Sequence, residues 1–346
     1  MFIGKTVAKQ IKSILLPLFF GSIIFIWGIA GFFYYQATVS VSEKIQTVTI
    51  IIPEGATLKQ ISNDLKEHNL IKNANAFRLL ANIRNKQTHI QIGEYELNQS
   101  MPPMEILNTI TTGKTILHSV TIPEGYRIKE ISELLAKKIS INKKQFIQES
   151  MNKDLIKKLN ITSSSLEGYL FPETYYFSKY TSEQKIIRTM LNTFQEQIKK
   201  HQILDQVESS DLSLHEIITL ASLIEKETGM NKERKHISSV FHNRLHRKML
   251  LQTDPTVIYA IKNFDGNIRK KDLRIDSPYN TYRYKGLPPG PIANPGIKSI
   301  EAALNPIKTK HLYFVSRQDG SHYFSSNLKE HNRAVQKYQL KKVARN

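Results

Sequence analysis

Residues 13–42 carry no charged side chain, and Ile14 to Tyr35 is dominated by Leu, Ile, Phe, Gly and Ala. About 20 apolar residues suffice to cross a hydrocarbon core of roughly 30 Å. A cleaved signal peptide has an apolar core of only about 7–15 residues before a small-residue cleavage site. The run therefore predicts a transmembrane helix over residues 13–36, with Tyr34 and Tyr35 at its aromatic edge. Lys5, Lys9 and Lys12 lie before it, which makes residues 1–12 a cytoplasmic tail and places the rest of the chain outside the cytoplasm.

Beyond a linker over 37–45, the pattern changes to alternation. Val48, Ile50 and Ile52 alternate, a Pro53-Glu54-Gly55 turn follows, and a helix is predicted from Leu58 to His68. The same phrase returns 70 residues later. Val120 and Ile122 precede Pro123-Glu124-Gly125, and Ile128 opens the next helix. Two copies are too few for a solenoid and read as entrances to two consecutive units. The first, over 46–115, continues with helices near Ala74–Ile83 and Pro103–Thr112 and a strand near Gly93–Leu97. Its strand–helix–helix–strand order resembles the LysM module, which binds glycans containing N-acetylglucosamine; the alternative is a spacer. The second unit, 116–346, is predicted to be a mixed α/β domain, making the whole an α+β protein.

That second unit contains the chemically informative stretch. Leu214, Ile217, Ile218, Ala221 and Ile224 recur at helical spacing, and Leu220 and Leu223 add a second apolar side. Glu225 and Glu227 ride into the last turn, and Gly229 is read as the residue that ends the helix. A carboxyl in such surroundings holds its proton to higher pH and can act as a general acid. With Lys226, Lys232 and Arg234 nearby, a frayed, solvated turn is the competing reading. Ile237–Leu245 predicts another helix. His242 and His246 stand four apart on it, without the intervening Glu or third ligand of a metal site. From Gln252 to Gly296, Asn, Tyr and Thr are interleaved with Pro-Gly punctuation, a composition suited to ordered loops that hold sugars. Leu312–Val315 and His322–Ser325 flank Asp319-Gly320 as a hairpin, and Asn327 with Glu330 resembles a capping box.

Charge and cysteine content alter this picture little. The net charge of +19 predicts attraction to anionic surfaces, but the positives are spread along the chain and select no partner. With no cysteine, disulfides, thiolate metal sites and cysteine nucleophiles are excluded. An exported domain meets neither a nucleotide pool nor nucleic acid.

Five segments in order carry a resemblance: Leu166-Glu167-Gly168-Tyr169-Leu170-Phe171-Pro172-Glu173-Thr174-Tyr175, the helix ending in Glu225 and Glu227, Gln252-Thr253-Asp254-Pro255-Thr256, Tyr279-Asn280-Thr281-Tyr282, and Gly286 to Gly296. Together they resemble the MltG (YceG-like) family of endolytic murein transglycosylases, membrane-anchored enzymes that cut peptidoglycan glycan strands. The resemblance implies cleavage of the bond between N-acetylmuramic acid and N-acetylglucosamine, leaving 1,6-anhydro ends. One carboxyl serves as acid and then base, whereas ordinary glycosidases use two. Matching the family motif puts that role on Glu227, while helical spacing puts Glu225 on the principal apolar face. Glu225, Gln252, Asp254, Tyr279, Asn280, Tyr282, Glu173 and Asn327 are the candidate substrate-binding residues. No metal or other cofactor is expected. The expected partners are glycan strands, the inner membrane and cell-wall synthases, with nucleic acid excluded. The implied location is the inner membrane, with the catalytic domain periplasmic. The rival reading is a non-catalytic, membrane-anchored peptidoglycan-binding scaffold.

Overall fold

The computed structural model describes residues 21, 23–158 and 161–340. Residues 13–20 and 22 of the predicted span over 13–36 thus lie outside the described residues. Its described part is helical, as α1 over 23–38, with Ile24, Phe25, Ile26 and Trp27 exposed. Among the described residues no helix is long and apolar enough to cross a membrane.

The chain divides into two compact units, one reaching His118 and including Ser178–Tyr180, the other holding the remainder. In the first, β1 (Thr47–Ile52), α2 (Leu58–Glu67), α3 (Ala74–Ile83), β2 (Gly93–Asn98) and α4 (Pro103–Thr112) follow the predicted order. β1 and β2 pair antiparallel, Ile50 opposite Tyr95 and Val48 opposite Leu97. Ile50, Ile52, Leu65, Phe77, Tyr95 and Ile106 form its core, so the alternating and helical patterns converge on one interior. Glu94 is buried at one edge of this unit, bonded by His118 at 2.6 Å and Lys179 at 2.7 Å. Burial pushes its pKa up, but those two partners outweigh it and hold the carboxyl below its usual range.

β3 (Leu117–Thr121) carries the chain from the first unit into the second, which runs through α5 (Ile128–Ile139), α6 (Lys143–Glu149), α7 (Lys153–Lys158) and most of β4 (Thr174–Ser178). It continues with α8 (Glu183–Lys200), α9 (Ile203–Glu208), α10 (Leu214–Glu227), α11 (Asn231–His246), α12 (Asp254–Ala260), α13 (Ile297–Leu304), β5 (Tyr313–Ser316), β6 (His322–Ser325) and α14 (Leu328–Val335). β3 pairs with β4, and β5 with β6 as an antiparallel hairpin, Tyr313 opposite Ser325. The mixed architecture agrees with the α+β expectation.

The repeated phrase is one turn used twice. The Ala56 N–H bonds the Pro53 carbonyl at 3.3 Å and the Tyr126 N–H bonds that of Pro123 at 3.4 Å. Gly55 and Gly125 take left-handed φ of 75° and 76°, which a side chain would resist. α11 begins six residues before the predicted helix. Its first turn, Asn231 to Arg234, reads as polar, yet Glu233 and Arg234 are buried by partners distant in sequence.

Candidate active site

α10 places the two carboxylates. Ser213 caps it reciprocally with Glu216, and every residue from Ile217 to Ile224 is buried. Helix α13 packs along it. The helix stops at Thr228, which is extended and accepts the Met230 N–H on its hydroxyl at 3.0 Å. Gly229 does not take the left-handed form expected of it, because the chain leaves through an extended Thr instead. Two residues at roughly 100° each separate Glu225 from Glu227 by about 200°, so they face opposite sides.

Glu225 turns inward. Its side chain is 5% exposed, and Arg234, equally buried, donates to Oε1 at 2.8 Å. The Gly296 N–H donates to Oε2 at 3.0 Å. Arg234 also reaches Glu124 at 3.3 Å. Burial and the nearby Glu225 charge push the Glu124 carboxyl up, against the pull of Arg234. Helical spacing correctly marked Glu225 as lying on a packed face. The buried ion pair there ties the end of α10 to α11 and the start of α13, with both Glu225 oxygens occupied.

Glu227 opens onto a cleft of about 560 Å³ lined also by Arg244, Gln252, Asp254, Tyr282 and His322. Protein crowds its carboxyl on the other sides. Burial pushes its pKa up to about 7; Asp254 adds to the rise, while the Thr253 hydroxyl, His322 and Arg244 oppose it. Thr253 donates to Glu227 Oε1. Leu251 to Asp254 alternate buried and exposed, and Gln252 sits at a left-handed φ of 48°. A non-glycine residue held there stores strain, characteristic of over-determined sites. The Tyr282 hydroxyl donates to Asp254 Oδ1 at 2.6 Å. Glu227, Gln252, Asp254 and Tyr282 are therefore brought together.

The other candidates sit elsewhere. Asn280 is fully buried: its Nδ2 donates to the Leu273 and Ile275 carbonyls at 3.0 and 2.8 Å, and its Oδ1 accepts the Tyr282 N–H at 3.0 Å. It is a loop anchor rather than a cleft residue, because its amide supplies the partners that buried loop backbone needs. Tyr279 packs half-buried on Tyr259, ring centroids 4.8 Å apart. Glu173 is exposed at the start of β4 and bonds the next backbone N–H at 2.9 Å. Asn327 caps α14 by accepting the Glu330 N–H at 3.0 Å. Glu330 accepts from Ser326 and not from Asn327, so the capping box is half made. His242 bonds the Ala303 carbonyl at 2.8 Å.

Several site residues were missed in the sequence. Arg244 is 7% exposed, donating through Nε to the Leu312 carbonyl at 2.6 Å and through Nη1 to that of Leu251 at 2.7 Å. It thereby ties the hairpin to the segment bearing Gln252. Its place three and four residues after Phe241 and Val240, on an apolar face, was the available signal. Behind the site, Asn294 binds the Gly168 and Leu170 N–H groups, each at 2.9 Å, and donates to Glu167 at 3.0 Å. Burial pushes the Glu167 carboxyl up to about 8; its bond from the Ile128 N–H, the Arg127 charge and the Asn294 bond oppose that, and the Glu130 charge adds to it.

A family model described as YceG-like matches residues 50–337. An endolytic murein transglycosylase of Bacillus subtilis (strain 168) is 38% identical over 326 residues, covering 89% of this chain and 90% of that protein. An endolytic murein transglycosylase of Streptococcus pneumoniae serotype 2 (strain D39 / NCTC 7466) is 32% identical over 342 residues, covering 88% of this chain and 62% of that protein. The crystal structure of a yceG-like protein from Listeria monocytogenes is similar at a TM-score of 0.58 and 37% identity, over 83% of this chain and 98% of that one.

Proposed function

The chain belongs to the YceG-like family, and from that premise we propose that it is a lytic transglycosylase that cuts peptidoglycan glycan strands internally. Glu227 is its single acid and base. The protonated carboxyl gives its proton to the oxygen linking N-acetylmuramic acid to N-acetylglucosamine as the bond to the muramyl anomeric carbon breaks. The resulting carboxylate takes the proton of the muramyl 6-hydroxyl as that oxygen bonds the same carbon, closing the 1,6-anhydro ring. The observation that carries this reading is Glu227 itself, a carboxyl with a pKa of about 7 opening onto a polar cleft. Such a group holds a proton to donate at neutral pH and can still take one back. Asp254 shares the cleft but already accepts a hydrogen bond from Tyr282 at 2.6 Å, which suits a supporting role.

The membrane anchor over 13–36 and the outward-facing catalytic unit are part of the proposal. They are supported by the uncharged run and the preceding lysines. Glycan binding by the βααβ unit is a further part, supported by a groove of about 370 Å³ at the β1–α2 turn that includes Glu54, Gln60 and Asp64. Digestion of purified sacculi with mass analysis of the products tests the central reaction. Anhydro-muramyl ends are expected; reducing ends would make the protein a hydrolase, and the absence of any new end would leave the scaffold reading.

A further inference from the structure

The cleft contains a carboxylate–imidazole pair for which the Glu227 cycle has no role. Glu233, in the first turn of α11, and His322, the first residue of β6, each have side chains 11% exposed. Glu233 grips His322 at two points: Oε2 accepts from ring Nδ1 at 2.8 Å, and Oε1 accepts the backbone N–H at 3.1 Å. An acceptor-only carboxylate at this position assigns the hydrogen of the pair to Nδ1. Phe314 meets the ring edge-on at 5.5 Å between centroids, which restricts its rotation.

In the neutral ring an Nδ1 donor leaves Nε2 as an acceptor, and His322 lines the same cleft as Glu227. His215 and His236, in the same unit, spend ring nitrogens on protein. His215 bonds the Tyr169 hydroxyl at 2.8 Å and the Pro289 carbonyl at 3.0 Å, and His236 bonds His311 at 2.8 Å. A buried carboxylate that fixes both the backbone and the tautomer of a cleft histidine exceeds what packing requires.

We propose that His322 is a second substrate-contacting residue of the transglycosylase, its Nε2 accepting a hydrogen bond from a hydroxyl or amide N–H of the glycan lying against Glu227. Glu233 is the positioning residue that sets the tautomer and aim of the ring. The inference rests on the reading of this cleft given under the proposed function.

The test uses the full-length protein carrying His322→Ala, His322→Gln or Glu233→Gln, with melting temperature measured alongside turnover of isolated glycan strands. Both His322 variants should lose about tenfold or more in turnover, the scale of one hydrogen bond. Free imidazole should restore part of the loss in the alanine variant. In Glu233→Gln the amide nitrogen competes for the ring, so ¹⁵N spectra should show the Nδ1–H tautomer giving way to a mixture while turnover falls. Independently, an N-acetylglucosamine–N-acetylmuramic acid oligomer added to Glu227→Gln protein should shift the His322 Nε2 resonance. Turnover within twofold of wild type, loss that only follows melting temperature without imidazole rescue, or an unmoved Nε2 resonance at saturating oligomer would each overturn the proposal. A wild-type protein that cuts nothing yet shows the Nε2 shift would instead remove the catalytic reading and leave the contact standing.

Discussion

A carboxyl that must surrender a proton and then recover one needs an affinity near the surrounding pH, and Glu227 meets that need through burial, opposed by the Thr253 hydroxyl and the nearby His322 and Arg244. Glu227→Gln keeps the shape and removes the proton, so anhydro-muropeptide formation should fall by at least the roughly 10²–10⁴-fold typical of acid–base assistance. Its pKa of about 7 lies above the ordinary 4.5, so the donor form, and with it turnover, should decline as pH rises through 7. The same shift acts on stability. The folded state holds the proton more tightly than the unfolded chain, so this contribution is complete below pH 4.5 and is lost as pH climbs through 7. The melting temperature of Glu227→Gln should therefore gain on wild type between pH 5 and 8, which thermal scans across that range would check; a gap independent of pH would contradict it. Glu225 behaves differently, since its loss leaves buried Arg234 with the half-exposed Glu124 as its remaining carboxylate partner, beside the Asn231 amide oxygen. Breaking a buried pair costs about 3–5 kcal/mol. Glu225→Gln should thus lower denaturant stability toward the smaller end of that range, with turnover falling only as folding does. Helical periodicity alone could not rank these two, because it reports burial and is silent on whether a buried carboxyl is paired.

At the scale of elements, α10 was legible because apolar residues line two sides of it, and the hairpin because Asp319-Gly320 separates two short β-rich runs. The loops were legible as a dense functional region but not residue by residue. Asn280 and Tyr282 are two positions apart, and composition treats them alike, yet one amide holds loop carbonyls and the other side chain faces the cleft. That difference arises from tertiary hydrogen bonds. Asn280→Ala should consequently unfold at markedly lower denaturant, since a fully buried amide is lost and two partly buried carbonyls lose its donor. Tyr282→Phe should melt near wild type and turn over more slowly, because it removes only the hydroxyl that Asp254 accepts. Equal stability losses in the two variants would mean that the Tyr282–Asp254 bond also holds the fold. The charged first turn of α11 and the buried Arg244 were hidden for the same reason: their partners lie up to 110 residues away.

For the whole molecule, the repeated Pro-Glu-Gly turn opens both units with the same geometry. In the second unit, Glu124 of that turn is engaged by Arg234. In the first, Glu54 carries no such partner in the hydrogen bonds described and borders a groove with Asp64, whose carboxylate lies 3.2 Å from His68. Acidic side chains at a groove accept from sugar hydroxyls and amide N–H groups. Changing Glu54 and Asp64 together to alanine should therefore weaken binding to chitin oligomers and to purified sacculi. Neither residue lies in the first unit's apolar core, so its melting temperature should change little. Cutting of short soluble strands should persist, because Glu227 and its cleft lie in the other unit. Titration calorimetry on the full-length protein, with sacculus pull-down beside it, reads both effects. Unchanged affinity would reduce the first unit to a spacer, whereas parallel loss of binding and of soluble-strand turnover would show that the substitution damaged the fold instead of the groove.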